Sequence, residues 1–343
     1  SYFLETFTEY PYVNQEGYVP TTYTRIREQN LAGYAQYNHP LPFGQANIGL
    51  RYEHVDFDYF ENGTFVPGQS RVYDNIFPNI SVNGQLGKVQ FQVSYAAKTQ
   101  RPNYSQLRNN ITYANRFTWQ TGNPLLKPSV THDITAVGVW RFFQAMVSYK
   151  VVRDYILYWG TQVENQSATT LINYINHDRL PSLTVMLAAS PTIGIWNLNA
   201  SAIVMKQWFS LDAAGQRRTY NNPLFVGSLN NTFTLPAGFL LSADFNYQSR
   251  GQVQNITLKR PQYTLNIGLR KSLFNDALSI EARANDLLLG CKQEALLYME
   301  SAQMKDLSWS DTRSFSLTVR YKFNAAKSKY KGTGAGQDTI NRM

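Results

Sequence analysis

From Thr312 to Phe323 apolar and polar positions alternate strictly. Phe315, Leu317, Val319, Tyr321 and Phe323 stand against Ser316, Thr318, Arg320 and Lys322. A period of two puts one set of side chains on each face of a strand, so this strand separates an apolar medium from a polar one. A single such segment, taken alone, favours the edge strand of a soluble sandwich; the repetition decides. Ala46, Ile48, Leu50 and Tyr52 alternate with Asn47, Gly49, Arg51 and Glu53. Val89, Phe91, Val93, Tyr95 and Ala97 oppose Gln90, Gln92, Ser94 and Lys98. Tyr263, Leu265, Ile267 and Leu269 oppose Thr264, Asn266, Gly268 and Arg270, and Leu278, Ile280, Ala282 and Ala284 oppose Ser279, Glu281, Arg283 and Asn285. The repeats run about 9 to 12 residues, the length a tilted strand needs to cross hydrocarbon. Sandwich strands are usually shorter and carry more Lys and Glu on their wet faces.

The links between repeats take turns. Short ones, rich in Gly, Pro and Asn, fall at Pro40 to Gly44, Asn83 to Gly87, Arg141 to Gln144, Pro191 to Gly194, Leu235 to Gly238 and Ser272 to Asp276. Long ones run Glu61 to Arg71, Arg101 to Lys127, Gln162 to Asp178, Asp212 to Asn222, Gln248 to Leu258 and Leu288 to Asp311. Short turns on one side and long loops on the other match an outer-membrane barrel with periplasmic turns and extracellular loops. Together they predict an all-β, antiparallel transmembrane barrel wall of about 13 strands. The final strand follows a long loop and so runs towards the periplasm. Counting back, the strand near Arg25 to Tyr37 also runs down, and residues 1 to 22 read as part of an extracellular loop. Single-chain bacterial barrels have even strand numbers, so an odd count predicts a portion of a larger barrel.

Composition fits this picture. The chain has 343 residues, of which 14% are aromatic and only 16% charged, while Asn, Gln, Ser and Thr supply the remaining polarity. Aromatics serve the girdles of a barrel and uncharged polar residues line its wet interior. No run approaches the roughly 18 apolar residues of a spanning helix. The formal charge of +9 forms no compact stripe: Lys327, Lys329, Lys331 and Arg342 lie in the last residues and the other cations are spaced singly. Nucleic acid is therefore not an expected partner. A soluble lectin-like β domain has similar composition but no reason for alternating link lengths.

Leu31-Ala32-Gly33-Tyr34-Ala35-Gln36-Tyr37, Gly49-Leu50-Arg51-Tyr52-Glu53-His54 and Gln120-Thr121-Gly122-Asn123-Pro124-Leu125-Leu126-Lys127-Pro128 resemble the barrel of TonB-dependent outer-membrane receptors. Arg101-Pro102-Asn103-Tyr104-Ser105-Gln106-Leu107 and the tail from Lys327 through Gly332-Thr333-Gly334-Ala335-Gly336 are similar to the outer-membrane β-barrel family of Bacteroidetes-type receptors. The similarity covers about Thr22 to Met343. It implies the C-terminal portion of a barrel of about 22 strands, with the N-terminal plug and first strands absent, in the outer membrane of a Gram-negative bacterium. On this reading residues 1–323 are barrel and 324–343 a basic, flexible periplasmic tail. The implied function is import of a nutrient (a glycan, metal chelate, vitamin or peptide) with energy delivered by TonB through the plug. Implied partners are outer-membrane lipid, the barrel-insertion machinery and a surface lipoprotein. The alternating Phe315, Leu317, Val319, Tyr321 and Phe323 resemble the signal read by that machinery, although twenty residues follow Phe323. Ser129 stands where related receptors often carry Glu. An alternative is a self-contained channel of about 14 strands that uses residues 1–12 as an extra strand.

Candidate chemistry is sparse. His39, His54, His132 and His177 lack ligand spacing, so no metal or cofactor is expected. Asp154, Glu164 and His177, on or beside one long link, have no catalytic arrangement readable from sequence, and the chain does not read as an enzyme. Cys291 is the single cysteine and reads as an incidental buried thiol. In the Arg101 to Pro128 link, Tyr104, Tyr113, Phe117 and Trp119 stand among Asn109, Asn110 and Asn115, a mixture suited to stacking on sugars or flat chelates. The simpler and favoured reading is that the same aromatics pack the loop onto the barrel rim or onto a neighbouring loop. Arg51, Glu53, Lys98, Arg270, Glu281, Arg283 and Arg320 fall on wet faces, where they would pair across the lumen or hold a plug.

Overall fold

The computed structural model describes residues 2–8, 22–115, 117–163, 166–274, 277–300 and 303–322. Thirteen long strands form its wall: β1 (Thr22–Leu41), β2 (Gly44–Glu61), β3 (Arg71–Leu86), β4 (Val89–Gln100), β5 (Ser129–Trp140), β6 (Phe143–Val163), β7 (Gln166–Ala189), β8 (Trp196–Gln207), β9 (Leu224–Leu235), β10 (Phe239–Gln248), β11 (Gln262–Leu273), β12 (Leu278–Asn285) and β13 (Ser314–Tyr321). Each pairs antiparallel with the next in chain order. The expected count and the all-β antiparallel class are thus what the structure contains.

Register carries the alternation across the sheet. Ile48 pairs with Ile80, Ile80 with Tyr95, Tyr95 with Ile134, Ile134 with Tyr149 and Tyr149 with Leu183. At the other end Ile267 pairs with Ala284 and Ala284 with Phe315. Ile48, Ile134 and Phe315 are 53%, 52% and 74% exposed. Rows of open apolar side chains spanning a whole sheet face belong against lipid, since water-facing patches of that extent are rare. The opposite face is polar: Asp133 accepts hydrogen bonds from Thr135 and Ser148 at 2.8 Å, and Asn47 donates to Ser81 at 3.2 Å.

Aromatic rings gather beside the short turns. Trp140 and Phe143 stack across the Arg141-Phe142 turn with centroids 6.0 Å apart, Trp196 stacks on Phe233 at 6.1 Å, and Phe43 lies 6.1 Å from Phe91. Such a row marks a membrane interface, where an amphipathic ring is best placed. Gly87, with φ of 60°, makes the turn into β4 possible in two residues, because it enters the left-handed region without a Cβ clash.

Three sequence expectations need correction or lie out of view. Gln162 to Asp178 is not a long loop: β6 and β7 remain paired to Val163 and Gln166, so the hairpin rises well beyond a bilayer. Tyr2–Thr8 is not loop either but a strand paired with residues 22–28, made from Tyr, Phe and Thr, all good strand formers. Phe323 and the tail 324–343 lie outside the described residues, whereas Phe315, Leu317, Val319 and Tyr321 share the outward face of β13.

Among the described residues, no second strand lies beside 29–41 of β1 or beside the outer edge of β13. If the apolar rows face hydrocarbon, Ile134→Arg, near mid-span of β5, lowers unfolding stability by about 2–4 kcal/mol. Gln92→Arg, on the polar face of β4, changes it by about 1 kcal/mol or less. Urea unfolding of both variants in lipid vesicles checks the contrast.

Candidate functional site

The link from Arg101 to Pro128 folds down onto the polar face of β1 and β2 at their extracellular ends. Pro102 ends β4, since it cannot donate to the ladder, and Asn103 then caps one helical turn, Tyr104–Leu107. Its side chain accepts from the Gln106 amide at 2.9 Å while the Gln106 side chain accepts from the Asn103 amide at 3.0 Å. This capping box aims Tyr104 and Leu107 at the wall. Both are buried with Leu126, Ile26, Phe57 and Tyr59, and Ile156 and Tyr174 of β6 and β7 pack on the same cluster. Because β2 and strands four and five places along the sheet pack on one loop cluster, the wall curls around the loop.

Beneath this apolar seal lies an ion network. The Arg101 guanidinium donates to Glu28 Oε1 at 3.1 Å and Glu53 Oε2 at 2.8 Å, and Arg51 reaches Glu53 Oε1 at 2.7 Å. The Glu28 and Glu53 side chains are only 3% and 8% exposed, and Arg101 15%. Two buried carboxylates sharing one fork-shaped cation form a geometry that lysine does not reproduce. Arg71 donates to the carbonyls of Pro124 and Leu125, Asn109 bridges Thr24 and Glu61, and Asn123 donates to the Tyr174 carbonyl at 2.8 Å. Gly122 is required here: a Cβ would sit 2.5 Å from the Gln106 and Arg108 carbonyls.

The candidate aromatics separate into two pairs. Tyr104 and Trp119 are buried in the loop's own packing, 7% and 9% exposed, while Tyr113 and Phe117 remain at the surface, 40% and 48% exposed. Tyr113 meets the Trp119 ring edge-on at 5.0 Å, and the Thr118–Gln120 strand adds in parallel to β7. Of the candidate charges, Arg51 and Glu53 join the network. Arg283 forms a second group with Asp244 at 3.5 Å and Glu281 at 3.9 Å on β10 to β12. Arg270 lies directly opposite Glu281 and Arg320 opposite Ser279, without ion pairing between the opposed groups. Arg101, Glu28 and Asn103 are functional residues without a pattern of their own; the Arg-Pro-Asn start of the link is a signal for two of them, and Glu28 has none.

His39 and His132 bond Tyr37 and Tyr95, and His54 bonds Asp74. Among the described residues no three His, Cys, Asp or Glu side chains come together as metal ligands. Glu164 lies outside the described residues, and the Asp154 carbonyl accepts from Ser129 and Asn176. Cys291 is half-buried with a free thiol. Elsewhere the extracellular loops are pinned separately. Burial among Leu157, Trp159, Phe209 and Leu211 pushes the Tyr220 phenol up to about 12. Glu294 on the hairpin Lys292–Tyr298 and Gln303–Trp309 bonds Lys305 at 2.9 Å and Arg260 at 3.0 Å, which lowers its pKa, chiefly through the Lys305 hydrogen bond.

Two measurements test this construction. Arg101→Gln removes the cation that two buried carboxylates share, leaving Glu53 with Arg51, and costs about 3–5 kcal/mol. Limited proteolysis then opens residues 101–128 first, and adding Glu28→Gln and Glu53→Gln restores most of the protection. Because the Glu294 pKa is depressed, its contribution holds above the ordinary carboxylate range and is lost as pH falls through the depressed value. Amide protection factors in the hairpin, corrected for intrinsic exchange, therefore hold at about pH 6 and fall once the pH drops below the ordinary carboxylate range.

Comparison with known proteins places this geometry. A search of curated proteins finds no match. Among solved structures, the FrpB iron transporter from Neisseria meningitidis superposes with a TM-score of 0.55 at 14% identity, over 89% of this chain and 45% of that one. The ferric-catecholate import receptor Fiu from E. coli gives 0.57 at 12%, over 88% and 46%. The Serratia marcescens hemophore receptor HasR gives 0.57 at 14%, over 94% and 55%. At such identities the likeness establishes fold, and this chain spans about half the length of each. The model of the outer membrane protein beta-barrel family matches residues 2–321, and the chain therefore belongs to that family of outer-membrane barrels.

Proposed function

We propose that this chain is the C-terminal barrel part of an energy-coupled importer, driven by TonB through a plug on another part of the protein, and that its ligand is a small metal chelate. One observation carries the reading: the chain superposes on about half the length of an iron transporter, a ferric-catecholate import receptor and a hemophore receptor. Among the described residues, 29–41 of β1 and the outer edge of β13 lack a neighbouring strand, which supports it, because unpaired backbone groups in hydrocarbon cost several kcal/mol each and call for further strands. Tyr113 and Phe117, exposed on the folded loop, offer ring faces to a flat ligand. Half-exposed Arg51, Arg283 and Glu281 would meet the plug. A surface lipoprotein would approach from the loop side.

A second reading has one observation in its favour. Tyr2–Thr8 adds a fourteenth strand beside β1, as a small self-contained channel requires. That strand covers only the first seven residues of β1, against the roughly 9–11 of a full crossing.

Uptake of a ferric catecholate chelate by cells carrying or lacking the gene tests the importer. Expected is uptake that depends on the gene and stops with a protonophore. Uptake that persists without proton-motive force points to the channel. Tyr113→Ala with Phe117→Ala weakens chelate binding by about tenfold, with unchanged heat-modifiable mobility.

A further inference from the structure

On the outward face of β6 and β7, above the apolar rows, the register sets Arg153 directly opposite Arg179. Directly opposed side chains approach within about 5.5 Å at Cβ, and like charges there repel. Both arginines are exposed. Arg179 has Asp178 at 4.0 Å; Arg153 has no ion pair among the described residues. Beside them lies a recess of about 470 Å³, lined by His177, Asp178, Arg179, Trp208, Ser210 and Arg217. Arg217 pairs with Asp212 at 2.9 Å. Lys206, on the same outward face opposite Leu183, holds its ammonium 5.6 Å from the Trp208 ring. Four cations thus meet two carboxylates.

The level of this recess is informative. The aromatic row at Phe143 marks one interface, and Arg153 lies ten residues further along β6. A tilted strand crosses hydrocarbon in about 9–11 residues, so Arg153 and Arg179 emerge at headgroup depth in the outer leaflet. Directly below them the outward positions are Tyr149, Leu183, Val147, Val185 and Val204. Excess positive charge at one level and bare apolar surface beneath it match an amphiphile with an anionic head. We propose that the recess binds the phosphate-bearing headgroup of an outer-leaflet lipid, whose acyl chains lie along those apolar rows. The bound anion also relieves the Arg153–Arg179 repulsion, which explains why the pair is tolerated.

Full-length protein purified from outer membranes in mild detergent is titrated with a fluorescent phosphorylated lipid A, its dephosphorylated form and inorganic phosphate. A juxtamembrane cation contributes about a factor of five in affinity, so Arg153→Gln with Arg179→Gln weakens phosphorylated-lipid binding about 30-fold. On the unaltered protein, the dephosphorylated lipid binds as weakly as the phosphorylated lipid does to that variant. Arg153→Lys with Arg179→Lys keeps most of the affinity and separates loss of charge from loss of fold. Equal binding by the unaltered protein and the glutamine variant overturns the proposal. So does displacement of the lipid by millimolar inorganic phosphate, which assigns the recess to a soluble anion.

Discussion

The rest of the structure depends on the backbone's need for hydrogen-bond partners where water is absent. In hydrocarbon an unpaired N–H or C=O costs several kcal/mol, and the chain meets this by laying each strand beside its predecessor. Register along each pair then fixes everything else. Once Ile48 faces lipid, pairing carries Ile80, Tyr95, Ile134 and Tyr149 onto the same face, and their neighbours in sequence must line the interior. The seal made by the Arg101–Pro128 link is a consequence, since only residues on the inward face can receive it.

That dependence also explains what could be read from sequence. Where one face meets lipid and the other water, the period of two is preserved, and the wall strands and their short turns are legible. The upper part of β6 and β7 obeys a different rule. Leu157 and Trp159 are covered by Phe209 and Tyr220, and Ile172 is covered by Leu297 and Met299. With protein on both sides the alternation disappears, and a paired hairpin reads as a loop. The ion network was out of reach for another reason. Arg101 meets Glu28 and Glu53 across separations of 73 and 48 residues, and no local pattern encodes contacts brought about by the curl of the wall. For the same reason Tyr104 and Trp119 looked like Tyr113 and Phe117 until packing divided them.

The interior is graded along its axis, and the grading follows from where the loop ends. Near the extracellular side Glu28 and Glu53 are dry, and the Arg101 guanidinium serves both, with Arg51 on Glu53 as well. Towards the periplasmic side Arg51, Arg283 and Glu281 are 40% to 46% exposed, and Arg283 holds its partners loosely, at 3.5 and 3.9 Å. Burying a charge is costly unless geometry is fixed in advance, so a rigid, pre-paired cluster suits the end that the chain closes by itself. Looser, half-exposed charges suit an end that meets something else, since they exchange water for a partner at small cost. In our proposal that partner is the plug, and Arg51 is the junction, with its pairing to Glu53 on one side and open space on the other.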